Sequence, residues 1–354
     1  MRYCSRCGVP RILTNEHSWG SNGTLYLTND PAHRMVILDN DALTNVFNSI
    51  SERIGIGVDN IVAEAKRKSA KHFMDAVLAG VKGVVARNLA STKVYQQLSH
   101  QVSMLGAGHS EVTSYERHRH LEGVVTDAYN GPALTGDISG AFESVENRAA
   151  EYEFEVDESG TLRLTVRASS LQRPEYADRF KFEPIPALPG RNIFELCPVC
   201  KAPTEIGRQY EFDMDRGIIR EPKAGHRVVL MGVTTLRNIF GELEAELGDE
   251  IPNMMMTTEK ERVRRVIEEK GKMLETGELG YLRYMKTLRP KGMGNGVLAR
   301  VSGGRVNVRI DNPYSGPLLA GFLAGFYEAT SGAAASVEWT VPVQGSMEIT
   351  LSPS

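Results

Sequence analysis

The feature that most constrains this chain is that it repeats itself. Cys4, Cys7, His33 and Arg34 recur 193 positions later as Cys197, Cys200, His226 and Arg227. The offset persists through Leu43, Val46, Phe47, Ile50 and Ile54, which fall on Leu236, Ile239, Phe240, Leu243 and Leu247, while Gly55 falls on Gly248. These positions step by three and four, so each copy predicts a helix with one apolar stripe, ended by a glycine. Short β-like runs, Met35 to Leu38 and Val228 to Met231, precede the helices. Charge-rich helical stretches around 59–80 and 257–275 follow them and match poorly between copies.

The alignment resumes at an offset of 186, pairing Tyr95 with Tyr281, Gly106 with Gly292 and Gly108 with Gly294. At 185 it joins Tyr129, Gly131, Pro132, Gly136, Gly140 and Glu143 to Tyr314, Gly316, Pro317, Gly321, Gly325 and Glu328. Phe154, Val156, Gly160, Leu162 and Leu164 then meet Trp339, Val341, Gly345, Met347 and Ile349, an alternation about a glycine that predicts a β-hairpin with one buried face. Between the copies, Leu171 to Glu195 carries Pro174, Pro184, Pro186, Pro189 and Gly190 and reads as a semi-rigid linker. The expected organisation is a first repeat over 1–170 (knuckle 1–28, body 29–170), a linker over 171–190, and a second repeat over 191–354 (knuckle 191–218, body 219–354). The expected class is α+β: two copies of an antiparallel-sheet-plus-helices domain, each with its own core, packed as a pseudo-dimer in place of an isologous homodimer interface.

The four cysteines, all that the 354 residues contain, form two Cys-x-x-Cys knuckles. One knuckle supplies half a tetrahedral thiolate shell, so knuckles meeting on a pseudo-twofold axis would complete a four-sulfur zinc site from Cys4, Cys7, Cys197 and Cys200. A closed shell of this kind is structural. Sulfur ligation alone leaves iron as an alternative metal. A dithiol redox pair would belong at a helix N-terminus in a βαβ setting, which neither copy displays. Two separate sites would need further ligands, for which His33 and His226 are the candidates, although each also reads as a histidine flanking a strand.

The net charge of −3, with both signs mixed, offers no basic stripe for nucleic acid. The first residues lack the apolar core of a signal peptide, and the longest apolar stretch, Leu318 to Tyr327, is too short to span a bilayer. The expectation is a cytoplasmic protein whose partner is a hydrophobic small molecule or another protein.

Pro317-Leu-Leu-Ala-Gly-Phe-Leu-Ala-Gly-Phe-Tyr-Glu starts a helix with proline and is apolar nearly all round, so it should be buried on every side. Its glycines, and their counterparts Gly136 and Gly140, need a close neighbour to justify them, either a packed helix or a flat ligand. This segment, with Asn-Pro-Tyr before it and a glycine-centred hairpin after it, resembles the closing half of the 4-vinyl reductase domain, also called the hydrocarbon-binding domain. The Gly106-x-Gly108 and Gly292-x-Gly294 turns extend the resemblance over both copies. It implies an α+β fold related to haem nitric-oxide-binding domains and TRAPP tethering subunits, usually dimeric, with an apolar pocket for aromatic or tetrapyrrole ligands such as haem. The cysteine that many members carry in the last hairpin is replaced by Thr161 and Ser346. No Walker lysine motif and no basic recognition helix accompany the domain here.

The first copy concentrates His100, His109, His118 and His120, with Arg117 and Arg119 beside the last two. They admit two readings: ligands to a haem, metal or acidic tetrapyrrole, or a solvated face of a strand running through Tyr115 to His120. In the second copy Tyr281, Tyr284 and Met254 to Met256 suit either a soft ligand pocket or ordinary core. Neither a Ser-His-Asp grouping nor a phosphate loop nor a carboxylate pair marks catalysis. The sequence therefore points to a carrier or sensor for a hydrophobic, aromatic or tetrapyrrole ligand, its halves clamped by zinc. A TRAPP-like scaffold, or an enzyme or accessory factor in tetrapyrrole or aromatic metabolism, is the alternative.

Overall fold

The structure, a computed structural model, describes residues 2–79, 91–170, 185–192, 194–269, 271, 274–340 and 345–354. Most of the expected linker, 171–184, and Val341 of the last hairpin lie outside the described residues.

The chain is α+β, with antiparallel sheets and helices. In the first half a short helix α1 (Arg11–Glu16) leads into strands β1 (His17–Trp19), β2 (Leu25–Leu27) and β3 (Asp30–Asp39). Helices α2 (Asn40–Ile54), α3 (Asp59–Val77) and α4 (Ser91–Met104) follow. Hairpin β4 (His109–Glu116) and β5 (His120–Thr126), helix α5 (Gly131–Glu146), and hairpin β6 (Ala150–Val156) and β7 (Leu162–Ala168) complete the half. The second half runs through the same kinds of element in the same order: α6 (Thr204–Gln209), β8 (Glu211–Asp213), β9 (Ile218–Glu221), β10 (His226–Gly232), α7 (Val233–Leu247), α8 (Ile251–Glu269), α9 (Gly277–Lys286), β11 (Asn295–Ser302), β12 (Arg305–Asp311), α10 (Gly316–Ser331), β13 (Ala335–Trp339) and β14 (Ser346–Pro353).

One six-stranded sheet, ordered β1-β2-β3-β10-β9-β8, takes three strands from each half. At its centre β3 and β10 run antiparallel with Ile37 opposite Leu230, two residues 193 apart in sequence. Alternation assigns each face of the pair to a different core. Met35, Ile37, Val228 and Leu230 pack with Leu13 of α1 and Ile206 of α6. Val36, Leu38, Val229 and Met231 join a larger core with α2, α3, α5 and α7. That core mixes both halves, because α7 lies on α3 and α2 lies on α8. The sequence suggested a separate core for each copy; in the fold, each half's β3–α2-type unit instead covers the other half's body.

Each body carries a four-stranded antiparallel sheet, β4-β5-β7-β6 and β11-β12-β14-β13. Across it runs the apolar glycine helix, α5 or α10, buried over most of its length. A Cβ at Gly136 would collide with the carbonyl of Ala63 and approach Lys66 Cβ at 2.6 Å, and one at Gly140 would strike the Arg67 carbonyl. Gly321 and Gly325 meet Met256, Glu259 and Lys260 in the same way. The glycines are therefore cradles for α3 and α8. These crossings bring Lys66 and Glu259, and Arg67 and Lys260, to corresponding places, although the two helices look unrelated in sequence. Glu143 and Glu328 also act alike: each pairs with the cation of the crossing helix, Arg67 at 2.6 Å and Lys260 at 3.0 Å. Each accepts the backbone N–H of the following hairpin, from Ala150 or Ala335.

The expected continuous strand from Tyr115 to His120 is instead a hairpin end. β4 stops at Glu116, and His118 turns the chain with φ 60°.

Candidate functional site

The two knuckles come together. Cys4 N–H donates to Val9 O and Gly8 N–H to Cys4 O, a tight turn repeated as Cys197 N–H to Ala202 O and Lys201 N–H to Cys197 O. Gly8 and Lys201 hold the turn with φ of 74° and 64°, a backbone state that glycine adopts freely. Across the halves Cys4 Sγ lies 3.8 Å from Cys197 Sγ and Cys7 Sγ 3.4 Å from Cys200 Sγ, and all four sulfurs lie within 4.8 Å of one another. A tetrahedral shell with zinc–sulfur bonds of about 2.3 Å sets its sulfurs roughly 3.8 Å apart, so the cluster has the dimensions to hold a metal ion. None of the four forms a disulfide. Burial works against the Cys4 thiolate, but the N–H groups of Arg6 and Cys7 outweigh it and lower that pKa. The N–H groups of Cys200 and Val199 bring Cys197 down to about 6. Backbone donors thus favour two of the sulfurs as thiolates, the form that ligates.

His33 and His226 do not join this cluster. His226 Nδ1 faces Asp39 and Asp41 at 3.7 and 3.6 Å, and Asp39 is also held by Arg262 at 2.9 Å. His33 tilts against Phe73, ring centroids 5.1 Å apart, on the wall of a cavity.

That cavity, about 260 Å³, lies inside the first body between α3, α4, α5 and the β4–β5 sheet. Part of its wall comes from the second half: Val229 to Gly232 of β10 and Thr235 of α7. Most of the lining is apolar, including Phe73, Leu98, Val102, Leu121, Ile138 and Ala141. Among the polar groups on it is an ion pair, where Lys66 Nζ meets Asp137 Oδ2 at 2.8 Å beside Tyr129. Burial disfavours the Lys66 ammonium, but Asp137 and Tyr129 more than offset this, so its pKa stands above the ordinary lysine value. Burial raises Asp137 against the pull of Lys66, and raises Tyr129 to about 12. The Asp137 side chain keeps 33% of its surface open on this lining. His17 also lines the cavity. Its Nδ1 lies 3.2 Å from Leu13 O, its Nε2 has no partner, and burial lowers its pKa to about 4. It is a neutral imidazole near pH 7.

The corresponding region of the second half is filled. Tyr284 stacks on Phe322 and Phe326 with centroids 4.4 and 4.2 Å away, and Tyr281 meets Phe326 edge-on at 4.9 Å. Met285 packs so closely on Gly296 that a Cβ there would lie 2.5 Å from its own. By the offsets of 186 and 185, the first half has Leu98, Ser99, Asp137 and Ala141 where Tyr284, Met285, Phe322 and Phe326 stand. The cavity is the room left by those smaller side chains.

The four histidines singled out by sequence lie elsewhere. His100 and His109 are exposed. His118 donates its N–H to buried Glu146 at 2.8 Å and sets Nδ1 3.0 Å from it, beside the hydroxyls of Tyr95 and Tyr115. His120 Nε2 lies 3.0 Å from Ser114 Oγ. None of the four lines the cavity. Tyr281 and Tyr284 belong to the packed core of the second body. His33, a candidate metal ligand by sequence, is here a wall residue, and the cavity residues that the sequence did not single out are His17, Lys66, Tyr129 and Asp137; the available signal was small residues in one copy opposite aromatic ones in the other.

No helix among the described residues is long and apolar enough to cross a membrane. No family model matches the sequence, and no curated protein matches it. Among solved structures, the phenol-responsive sensory domain of the transcription activator PoxR, with phenol, aligns over 44% of this chain and 87% of its own at 10% identity, with a TM-score of 0.37.

Proposed function

We propose that this chain is a small-molecule-binding protein, a sensor or carrier, whose first half takes a compact hydrophobic ligand and whose halves are clamped by a structural zinc on Cys4, Cys7, Cys197 and Cys200. The observation that carries the reading is the cavity itself: recessed between the elements of the first body, largely apolar, and provided with a few polar groups that include the Lys66–Asp137 pair, the usual composition of a ligand site. A cavity of about 150 Å³ suffices for benzene, so 260 Å³ suits one substituted aromatic ring. A four-ring tetrapyrrole needs far more room. The second half supports the aromatic assignment from within, because there the same location is occupied by the chain's own stacked rings, Tyr284, Phe322 and Phe326. A hydroxyl or N–H on the ligand would donate to Asp137, whose charge Lys66 balances.

The chain reads best as two copies of one domain, divided near residue 190 and joined as an internal pseudo-dimer, with the 4-vinyl-reductase resemblance describing each copy. Because wall residues come from both halves, a bound ligand would tie one half to the other, and this is the means by which occupancy could be sensed. The test is a thermal-shift and calorimetric titration of the full chain with toluene, phenol, benzyl alcohol and indole. The expected result is one saturable site per chain. No shift with any of the four at millimolar concentration, together with ligand-free protein in native mass spectrometry, would overturn the assignment.

A further inference from the structure

A second concavity, about 630 Å³, opens between residues 189–192, helix α9 and the start of β11. Its rim is basic: Arg191, Arg283, Lys286 and Arg289 all line it. Arg283 and Lys286 stand three apart on one side of α9, and Arg289 follows in the turn after it. The carboxylate on this wall, Asp311, is already engaged by Arg309 Nε at 3.1 Å and Ser346 Oγ at 3.0 Å. Arg283 pairs with Glu275. Among the described residues Arg191 and Lys286 have no ion pair, and Arg289 makes one long bond, 3.3 Å to Gly296 O.

The floor is unsatisfied as well. Arg289 Nε, Asn192 Nδ2 and Asn295 Oδ1 are buried polar atoms without partners, and Asn295 is only 6% exposed. Three such atoms around one crevice are costly unless something occupies it, since a buried polar atom that gives up water without gaining a partner destabilises the fold. An amide can present either face, so Asn295 can donate as readily as it accepts. Burial also lowers Arg289 from the ordinary arginine value, against the opposing pull of Glu205, so its guanidinium is short of a counter-charge. At the offset of 186 the first half has Gln97, His100, Ser103 and His109 in place of Arg283, Lys286, Arg289 and Asn295. The basic crevice is thus particular to the half whose interior is filled.

We propose that this crevice binds a small oxyanion-bearing molecule, its phosphate or carboxylate seated among Arg289, Lys286 and Asn295 and covered by Arg191. Guanidinium and amide donors converging on a partly desolvated floor are the arrangement that holds such groups. The site is separate from the aromatic cavity and does not depend on it.

The experiment titrates the full chain with inorganic phosphate and with acetate at low ionic strength, following heat and chemical shifts. Saturable binding of one ion per chain is expected, weakened roughly tenfold in Arg289→Met and several-fold in Lys286→Met, the size of losing one charged hydrogen-bonding group. The better-bound ion identifies the group the natural ligand carries. Lys286 is exposed, so its variant remains informative should Arg289→Met lose stability. Ala141→Phe, which fills the aromatic cavity, should bind phosphate as before, so that failure at one site is distinguishable from failure at the other. Absence of saturable binding of either ion, or equal binding by wild type and both variants, would overturn the proposal.

Discussion

The ring of Tyr284 lies almost parallel to that of Phe326, centroids 4.2 Å apart and planes 19° from each other, at the location where the first half sets Leu98 near Ala141. One half is plugged by its own side chains and the other is hollow. Ala141→Phe should therefore weaken aromatic-ligand binding at least tenfold. Its stability should change by no more than about 1–3 kcal/mol, since the added ring enters existing space. Calorimetry and urea unfolding of the same variant check both halves of the statement.

Lys66 is buried and its partner Asp137 is half-buried, so removing Lys66 leaves a carboxylate with only partial access to water. Lys66→Met should cost about 1–3 kcal/mol, less than for a fully buried pair because Asp137 keeps partial access to water. The double variant Lys66→Met/Asp137→Leu should recover most of the loss. A double variant as unstable as the single one would show that the charge pair is not the cause.

The four cysteines predict one zinc per chain rather than two. Chelation, or Cys4→Ser, should lower thermal stability; with free zinc about 1,000-fold above its Kd the ion contributes about 4 kcal/mol. Metal analysis by mass spectrometry gives the count. Two ions per chain, or none in protein prepared with zinc, would contradict a shared site.

His17 makes the protein acid-sensitive in a defined window. Its folded pKa of about 4 lies below its unfolded value of 6.5. The unfolded chain therefore takes up the proton first, and the stability His17 contributes is complete above pH 6.5 and lost as pH falls toward 4. The full loss is roughly 3 kcal/mol. In His17→Leu the difference in unfolding free energy between about pH 7 and about pH 4.5 should shrink by a large part of that amount.

Two helical glycines should respond in opposite directions. Gly136→Ala forces a methyl onto the Ala63 carbonyl and should destabilise by at least about 2 kcal/mol. Gly241 is exposed within α7, and a methyl at that position would meet nothing within 4 Å. Gly241→Ala should stabilise by about 0.5–1 kcal/mol through helix propensity alone. Thermal melts of the two variants make the comparison.

Much of the fold was legible in the sequence because repetition converts weak local signals into paired ones. The offset of 193 located both knuckles, and the stripes on α2 and α7 gave their buried faces. The exchange of cover between halves was not legible, because an apolar stripe says that a face is buried and not which body buries it. The cavity was hidden for a related reason. Histidines announce themselves in a sequence, whereas Ala141 and Ser99 matter by the bulk they lack, and that appears only when Phe326 and Met285 are set beside them. His118 drew attention for its neighbours, yet its place is beside Glu146 at a hairpin end. Lys66 and Glu259 were missed because the helices carrying them keep their positions through glycine cradles while their own side chains diverge.

The pairing of Ile37 with Leu230 has a consequence for how such a molecule must be encoded. Because β3 and β10 pair about equivalent residues, halves made as separate polypeptides could associate with like as well as with unlike. Like pairs of the first half would carry two open chambers and like pairs of the second would carry none. Encoding both in a single polypeptide ensures that every molecule has one half of each kind and leaves the opposite side free to diverge.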